Sequence, residues 1–229
     1  MKKVFLILTF AIHLFGSNLF LNQFFNDNQC DQILHNNGYF ETCYSYRNKG
    51  AKFVAYSLDG SKVNSINIKK RPRFYEDLHI PKQFRSTYSD YTRNIYHQDR
   101  GHLCPDAAKD WSRQSLHSIY VLSNIIPQYY LINRGKHYWE GVERYARYTA
   151  KKLGSVNILN GVIYGAHPKR IGHNQIAVPK AYWKMVYSKK NNFQKCFYFE
   201  NNKNFILDKK SIKDFVVNCN SLLLNKRSF

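Results

Sequence analysis

Asp99-Arg100-Gly101-His102 places a carboxylate, a cation, a glycine and a titratable imidazole in four consecutive positions. Leu103-Cys104-Pro105-Asp106 follows directly, and Ser123-Asn124-Ile125-Ile126-Pro127-Gln128, Asn133 and Glu143 come further on. Cleaving a phosphodiester needs an activated water, relief of charge on the phosphoryl oxygens and help for the leaving oxygen. A histidine with an intrinsic pKa near ~6.5 is a natural base for the first task, and arginine suits the second. A divalent ion serves the second and the third. Mg²⁺ takes oxygen ligands and keeps several waters, so one side-chain oxygen can hold it on the protein. The neutral carboxamide of Asn133 would leave the ion's charge available to a phosphate. The order of these residues reads as metal-assisted phosphodiester chemistry.

Other chemistries fit less well. A Cys104/His102 nucleophile pair is conceivable because alternate residues of an extended segment point the same way, but nothing else in the chain suggests thiol chemistry. A zinc site from His97, His102 and Cys104 lacks a second Cys/His pair at suitable spacing. Taken singly, each residue has a plain structural reading. His102 could be a core histidine, Asn133 a helix-start residue, Glu143 a helical ion-pair partner of Arg147 and Arg73 a solvated loop charge. Asp99 and Asp106 read as turn or supporting residues rather than ligands.

The elements that would position these residues are mixed. Trp139, Val142, Ala146, Ala150 and Leu153 recur at three- and four-residue spacing, which predicts a helix over 138–153 ended by Gly154, with Asn133 at its entry. Tyr44-Ser45-Tyr46 and Lys52 to Leu58 predict two strands meeting a turn at Asp59-Gly60, continued by Val63 to Ile68. Further strands are expected at 118–122, closed by Pro127, and at 156–163, 176–178 and 181–187. A hairpin is expected from 196–199 and 205–207. Helical turns are expected at 31–35 and 211–218. Pro72 keeps Lys69-Lys70-Arg71-Pro72-Arg73 out of a regular helix and marks a basic loop. No repeat, long linker or second domain is visible, so 18–229 reads as one domain.

The 229-residue chain has 35 Lys+Arg against 15 Asp+Glu, a formal net charge of +20. That imbalance points to a polyanionic partner, and the 44% hydrophobic content argues against disorder. Residues 1–17, two lysines and then the apolar run Val4 to Phe15, read as a secretory signal peptide with a poorly marked cleavage site. An uncleaved leader would instead anchor the chain to a membrane, although the run is shorter than the ~20 residues a span requires. Export, to the periplasm or outside the cell, is compatible with disulfides. Five cysteines suggest two bridges and one spare. Pairing near neighbours gives Cys30–Cys43 and Cys196–Cys219 and leaves Cys104 free, without fixing the connectivity.

The blocks from Asp99 to Pro105, Asn124 to Gln128, Asn133, Trp139 to Glu143, and Ala177-Val178-Pro179-Lys180-Ala181-Tyr182-Trp183-Lys184 together resemble the DNA/RNA non-specific endonuclease family, which includes Serratia-type nucleases and endonuclease G. The resemblance runs from about Phe53 to Tyr187. It implies an α+β fold with a ββα-metal core, a central antiparallel sheet and flanking helices. It also implies roles: His102 as general base, Asn133 as the sole direct protein ligand of Mg²⁺ (or Mn²⁺), Glu143 as the residue orienting metal-bound water, and Arg100 as a phosphate contact. Arg73 would stabilise the transition state, with Arg71 as the weaker candidate, and Asn124 would brace the site or touch phosphate. The expected partners are DNA and RNA, the expected products carry 5′-phosphate ends, and no organic cofactor is required. These motifs do not encode an oligomeric state. Two departures stand out: Cys104 replaces a usual alanine, and two extra residues separate Asn133 from Trp139. A non-catalytic surface DNA receptor, or a cationic protein binding envelope polysaccharide or lipid, would share the charge but would not need the motif.

Overall fold

A computed structural model describes residues 29–209 and 211–224. The leader expected at 1–17 lies outside the described residues. The backbone of the fold is one antiparallel sheet of seven strands in the order β1-β2-β3-β6-β9-β10-β11. These are Gln32–Leu34 (β1), Glu41–Ser45 (β2), Gly50–Asp59 (β3), Ser155–Ile163 (β6), Ala181–Ser188 (β9), Phe193–Glu200 (β10) and Val216–Val217 (β11). Two short ribbons stand apart: Gln98–His102 (β4) with Ile125–Tyr129 (β5), and Arg170–Ile171 (β7) with Ile176–Ala177 (β8).

Among the described residues four α-helices accompany the sheet: Arg113–Ser118 (α1), Tyr130–Arg134 (α2), Trp139–Leu153 (α3) and Cys219–Leu224 (α4). Helix α3 buries Trp139, Val142, Ala146, Thr149 and Ala150 on one stripe, packs that stripe on the sheet, and stops at Gly154, whose φ is +84°. Only a residue without a Cβ enters that region at no steric cost. Ile126 of β5 joins the same apolar cluster, so ribbon β4–β5 and helix α3 share one core. Cys30–Cys43 ties the segment before β1 to β2, and Cys196–Cys219 ties β10 to α4, leaving Cys104 free and buried.

Local expectations give way where tertiary pairing dominates. Residues 31–35 hold strand β1, not a helical turn, because Gln32–Leu34 pairs with Thr42–Tyr44 beside the Cys30–Cys43 bridge. The β2–β3 hairpin turns at 46–49, while Asp59-Gly60 opens a run of turns: Asp59 Oδ1 accepts from Ser61 N at 2.9 Å, and no strand follows at 63–68. Residues 118–122 are not a strand. They close α1 and enter a 3₁₀ turn, Leu122–Asn124, and the strand comes after it as β5, with Pro127 inside. Pro127 is tolerated because this two-stranded ribbon has edges that need no donor. β10 pairs with β9 and β11, and Asn204–Ile206 is a 3₁₀ turn, not a strand partner. Residues 212–215 are 3₁₀, followed by β11, with the helix delayed to α4. Among the described residues no helix is long and apolar enough to cross a membrane.

Candidate active site

His102 ends β4, and the backbone around it is immobilised from four directions. Trp139 Nε1, at the start of α3, donates to the His102 carbonyl at 3.2 Å. Leu103 N donates to Asn124 O at 3.0 Å. Asn124, fully buried, accepts from Cys104 N at 2.8 Å through Oδ1 and donates through Nδ2 to the carbonyls of Cys104 (2.9 Å) and Ile119 (2.8 Å). Its amide is spent on backbone, so Asn124 braces the site and has no atom facing a phosphate. The Leu103 carbonyl accepts from Asn160 Nδ2 at 3.1 Å and Lys184 Nζ at 3.5 Å. Buried amides left unpaired would cost ~1–3 kcal/mol each, so this lattice holds the strand end in one register.

Gly101 is required by close approach. A Cβ there would run into the side chain of Gln128, which is fully buried on the neighbouring strand. The imidazole of His102 packs against Phe74 and Tyr120, with ring centroids 5.3 and 5.0 Å away. Its Nε2 is buried and has no hydrogen-bond partner among the described residues. Burial pushes the His102 pKa down to about 4, against the pull of Asp106, with Arg71 acting in the same direction as burial. The ring is therefore neutral near pH 7, with one nitrogen unsatisfied. A buried unsatisfied nitrogen is a liability in a purely structural residue and an asset in one that must receive a proton.

Asp106 joins the surrounding charges. Its Oδ2 pairs with Arg71 Nε at 2.8 Å and accepts from Tyr120 Oη at 3.2 Å. Arg71 also donates to the carbonyl of Ile68. Arg73, two residues along, is exposed and makes no hydrogen bond or ion pair among the described residues. Arg71 thus acts on the histidine through charge, while Arg73 directly precedes Phe74, whose ring packs on the imidazole. Arg100 leaves β4 on the same face as His102, since alternate strand residues share a face. Its guanidinium lies 3.7 Å from the Tyr88 ring centroid and donates to Tyr88 O (2.9 Å) and Thr92 Oγ1 (3.2 Å), while its Nε is buried and unpartnered.

Glu143 sits on the first turns of α3. Burial raises its carboxyl to about 7, opposed by Lys184 and Arg147 and reinforced by Asp106. Asp106 thus influences both His102 and Glu143, which places the two in one electrostatic group. Glu143 and Arg147 interact through charge without a direct ion pair within 4.0 Å among the described residues. Asn133 is not at the entry of the long helix. It lies within α2, and the two extra residues are taken up in the connection before α3, where Tyr138 N donates to Gly135 O at 2.9 Å. Asn133 Nδ2 donates to Asp99 Oδ2 at 3.1 Å, and Arg134 forks onto the same carboxylate at 2.7 and 2.6 Å. This holds Asn133 against β4, three residues from His102, with its Oδ1 accepting no hydrogen bond among the described residues.

The donor set fits a hard divalent ion. Asn133 offers a carboxamide oxygen that accepts no hydrogen bond among the described residues, the donor type Mg²⁺ takes, and a single such oxygen can hold an ion that keeps most of its waters; among the described residues no group of three or more His, Cys, Asp or Glu could hold a metal ion by itself. Asn160, and Lys184 from the last motif block, are supports of this strand end to which the sequence reading gave no role. Their signal was present: an asparagine and a lysine, directly opposite across β6 and β9, in strands otherwise buried and largely apolar.

An antiparallel strand pair whose first strand ends in a buried imidazole, with a helix bonded to that strand end, is the ββα-metal class of α+β fold. The crystal structure of an EndoG/EndoGI complex superposes with a TM-score of 0.70 at 24% identity, covering 80% of this chain and 79% of that one. The chain belongs to the DNA/RNA non-specific endonuclease family, whose model matches residues 17–223. Among curated relatives, it is 32% identical to the mitochondrial nuclease of Saccharomyces cerevisiae (57% of this chain, 39% of the relative). It is 27% identical to human mitochondrial endonuclease G (63% and 50%) and 27% identical to nuclease C1 of Cunninghamella echinulata (62% and 60%). The chain spans about half the length of the curated relatives it matches.

Proposed function

We propose that this chain is an exported, Mg²⁺-dependent endonuclease that hydrolyses DNA and RNA with little sequence preference, as a single domain over 18–229. The observation that carries the reading is the neutral, unsatisfied Nε2 of His102, fixed at a strand end, under the charges of Asp106 and Arg71 and on the same face of β4 as Arg100. A phosphodiester drawn beside it adds negative charge, which raises the imidazole pKa from its depressed value toward the range a general base needs. His102 then takes a proton from water as the water oxygen bonds to phosphorus. The P–O3′ bond breaks, the departing oxygen takes a proton from solvent, and the products carry 5′-phosphate and 3′-hydroxyl ends.

Arg100 and Arg71 balance charge on the phosphoryl oxygens, with Arg73 in the same basic loop. Asn133 Oδ1 would hold the ion, with Asp99 and Arg134 fixing its amide, and Glu143 would orient water around it. A bound Mg²⁺ or Mn²⁺ supplies Lewis-acid stabilisation of the developing charge. Affinity should come mostly from backbone phosphate contacts and fall steeply with salt. Export is supported by the leader-like N-terminus and by the two disulfides, which suit an oxidising compartment.

The test uses circular plasmid and RNA, with Mg²⁺ or EDTA, beside His102→Ala. Magnesium-dependent cleavage that His102→Ala abolishes is expected. No such cleavage by the wild type, or full cleavage by the variant, overturns the enzyme; binding without cleavage would instead favour a nucleic-acid receptor.

A further inference from the structure

Beside the catalytic ribbon lies a cleft of about 440 Å³ that the chemistry above does not use. Gln98 of β4 and Tyr129 of β5, register partners, form one wall, with Tyr96 alongside. Lys169, Lys180 and Lys203, all exposed, stand on the rim together with His167. Among the described residues, no carboxylate lines the cleft. Three lysines with no carboxylate beside them in the cleft, one of them over the Tyr96 ring, and two tyrosines in the lining are the two components of a site for a nucleotide strand: cations for phosphates and aromatic surface for bases.

The cleft is rigid at its base. Asn201 is buried and donates through Nδ2 to Gln98 Oε1 (3.0 Å), Pro127 O (3.0 Å) and Pro179 O (3.1 Å), while its Oδ1 accepts from Tyr129 N at 2.6 Å. One side chain thus clamps β4, β5 and the segment before β9 together. Lys169 is also placed, its Nζ 4.8 Å from the Tyr96 ring centroid. Tyr129 packs edge-on to Tyr130, centroids 5.0 Å apart. Such a wall is formed before any ligand arrives, which lowers the ordering cost of binding.

Its position relative to His102 sets the register of a bound strand. Gln98, Arg100 and His102 alternate on one face of β4. Four residues of strand span about 13 Å, the axial length of three or four nucleotides of a strand that keeps its bases stacked at the ~3.4 Å rise of a duplex strand. Arg100 lies midway along that line. We infer that the Tyr96/Tyr129 and Lys169/Lys180/Lys203 cleft is a subsite for an unpaired nucleic-acid strand, holding the nucleotides three or four positions to one side of the scissile phosphate. The inference rests on the nuclease reading for its register and on the cleft's own chemistry for the ligand class.

The test is equilibrium binding in EDTA, read by fluorescence anisotropy, of single-stranded oligonucleotides of three to eight nucleotides. Wild type is compared with Lys169→Gln/Lys180→Gln/Lys203→Gln and with Tyr129→Leu. A charge-matched control, Lys152→Gln/Lys189→Gln/Lys190→Gln, neutralises lysines that do not line the cleft. Thermal melts verify folding. In the wild type, affinity should step up when the oligonucleotide exceeds about four nucleotides. The cleft triple variant should lose that step, bind long oligonucleotides about tenfold more weakly than the control, and flatten the salt dependence by about two in log–log slope. Tyr129→Leu should weaken long oligonucleotides and leave short ones unchanged. Dinucleotide turnover with Mg²⁺ should be the same in the wild type and the control variant. Equal losses in cleft and control variants, or no length step in the wild type, overturn the subsite. A wild type that cleaves nothing overturns the nuclease reading, and the EDTA binding data still judge the cleft.

Discussion

Lys184 Nζ donates to Asn160 Oδ1 across 2.5 Å, and both side chains also donate to the carbonyl of Leu103, the residue after His102. The lysine is fully buried, its ammonium 4.3 Å from the Trp139 ring centroid. Burial pulls its pKa down to about 8, while the carboxyl of Glu143 works to keep it charged. One lysine therefore touches three parts of the site: the strand end, the helix start and the charge balance at Glu143.

Lys184→Met keeps the volume and removes the donor. Asn160 Oδ1 and the Leu103 carbonyl each lose a partner in the interior, so the variant should be about 1–3 kcal/mol less stable by urea denaturation. Glu143 loses a neighbouring positive charge and should ionise at higher pH, moving the acid limb of any Mg²⁺-dependent cleavage upward. An unchanged denaturation midpoint would show that the network contributes nothing.

How far these residues were legible in the sequence follows from the range of the forces involved. His102, Arg100 and Glu143 stand in local motifs whose spacing survives folding, and helix α3 announces itself through its apolar stripe and Gly154. Strand β1 and the 3₁₀ turn before β5 do not, because long-range pairing sets the first and the side chain of Asn124 consolidates the second. Arg71 and Arg73 are alike in the sequence; only the fold shows Asp106 beneath the first. Lys184 stands in a motif block, but what it and Asn160 do was not legible, because the Leu103 carbonyl they share is a backbone atom contributed by a distant segment.

His102 should also shape stability against pH in the metal-free protein. Its folded pKa, about 4, lies below the unfolded value near ~6.5. Between these values the unfolded chain binds more protons, so this contribution is complete above about pH 6.5 and is lost as pH falls through about 4. Glu143, raised to about 7 by burial, acts with the opposite sign: its contribution is present at low pH and lost as pH rises through 7. Urea titrations in EDTA at pH 4 and pH 7 should show a larger loss on acidification for the wild type than for His102→Gln. Equal losses would mean that the imidazole is not depressed.

Asp99 should act on the metal from a distance. It accepts from Asn133 Nδ2 and from the fork of Arg134, so it fixes which way the Asn133 amide faces. Supports of this kind typically change metal affinity 10–100-fold when removed. Asp99→Asn should therefore raise the Mg²⁺ concentration giving half-maximal cleavage by about 10-fold or more, with a smaller change in the rate at saturating Mg²⁺. Arg134→Ala should move it in the same direction. Two unchanged half-saturation values would detach Asn133 from metal binding.

Cys104 provides the opposite case, a residue inside the motif that should matter little. Its backbone N–H and carbonyl are held by Asn124, and nothing in that brace uses the sulfur. Burial pushes the thiol up to about 12, so almost no thiolate exists at neutral pH, and thiolate is the reactive form. Cys104→Ala keeps both backbone bonds and removes one buried sulfur, for a stability cost of about 1 kcal/mol. Cleavage should remain within twofold of the wild type, and a thiol-alkylating reagent should leave the native protein active. A hundredfold loss in Cys104→Ala, with folding intact, would restore the sulfur as a participant and displace His102 as the only base the strand supplies.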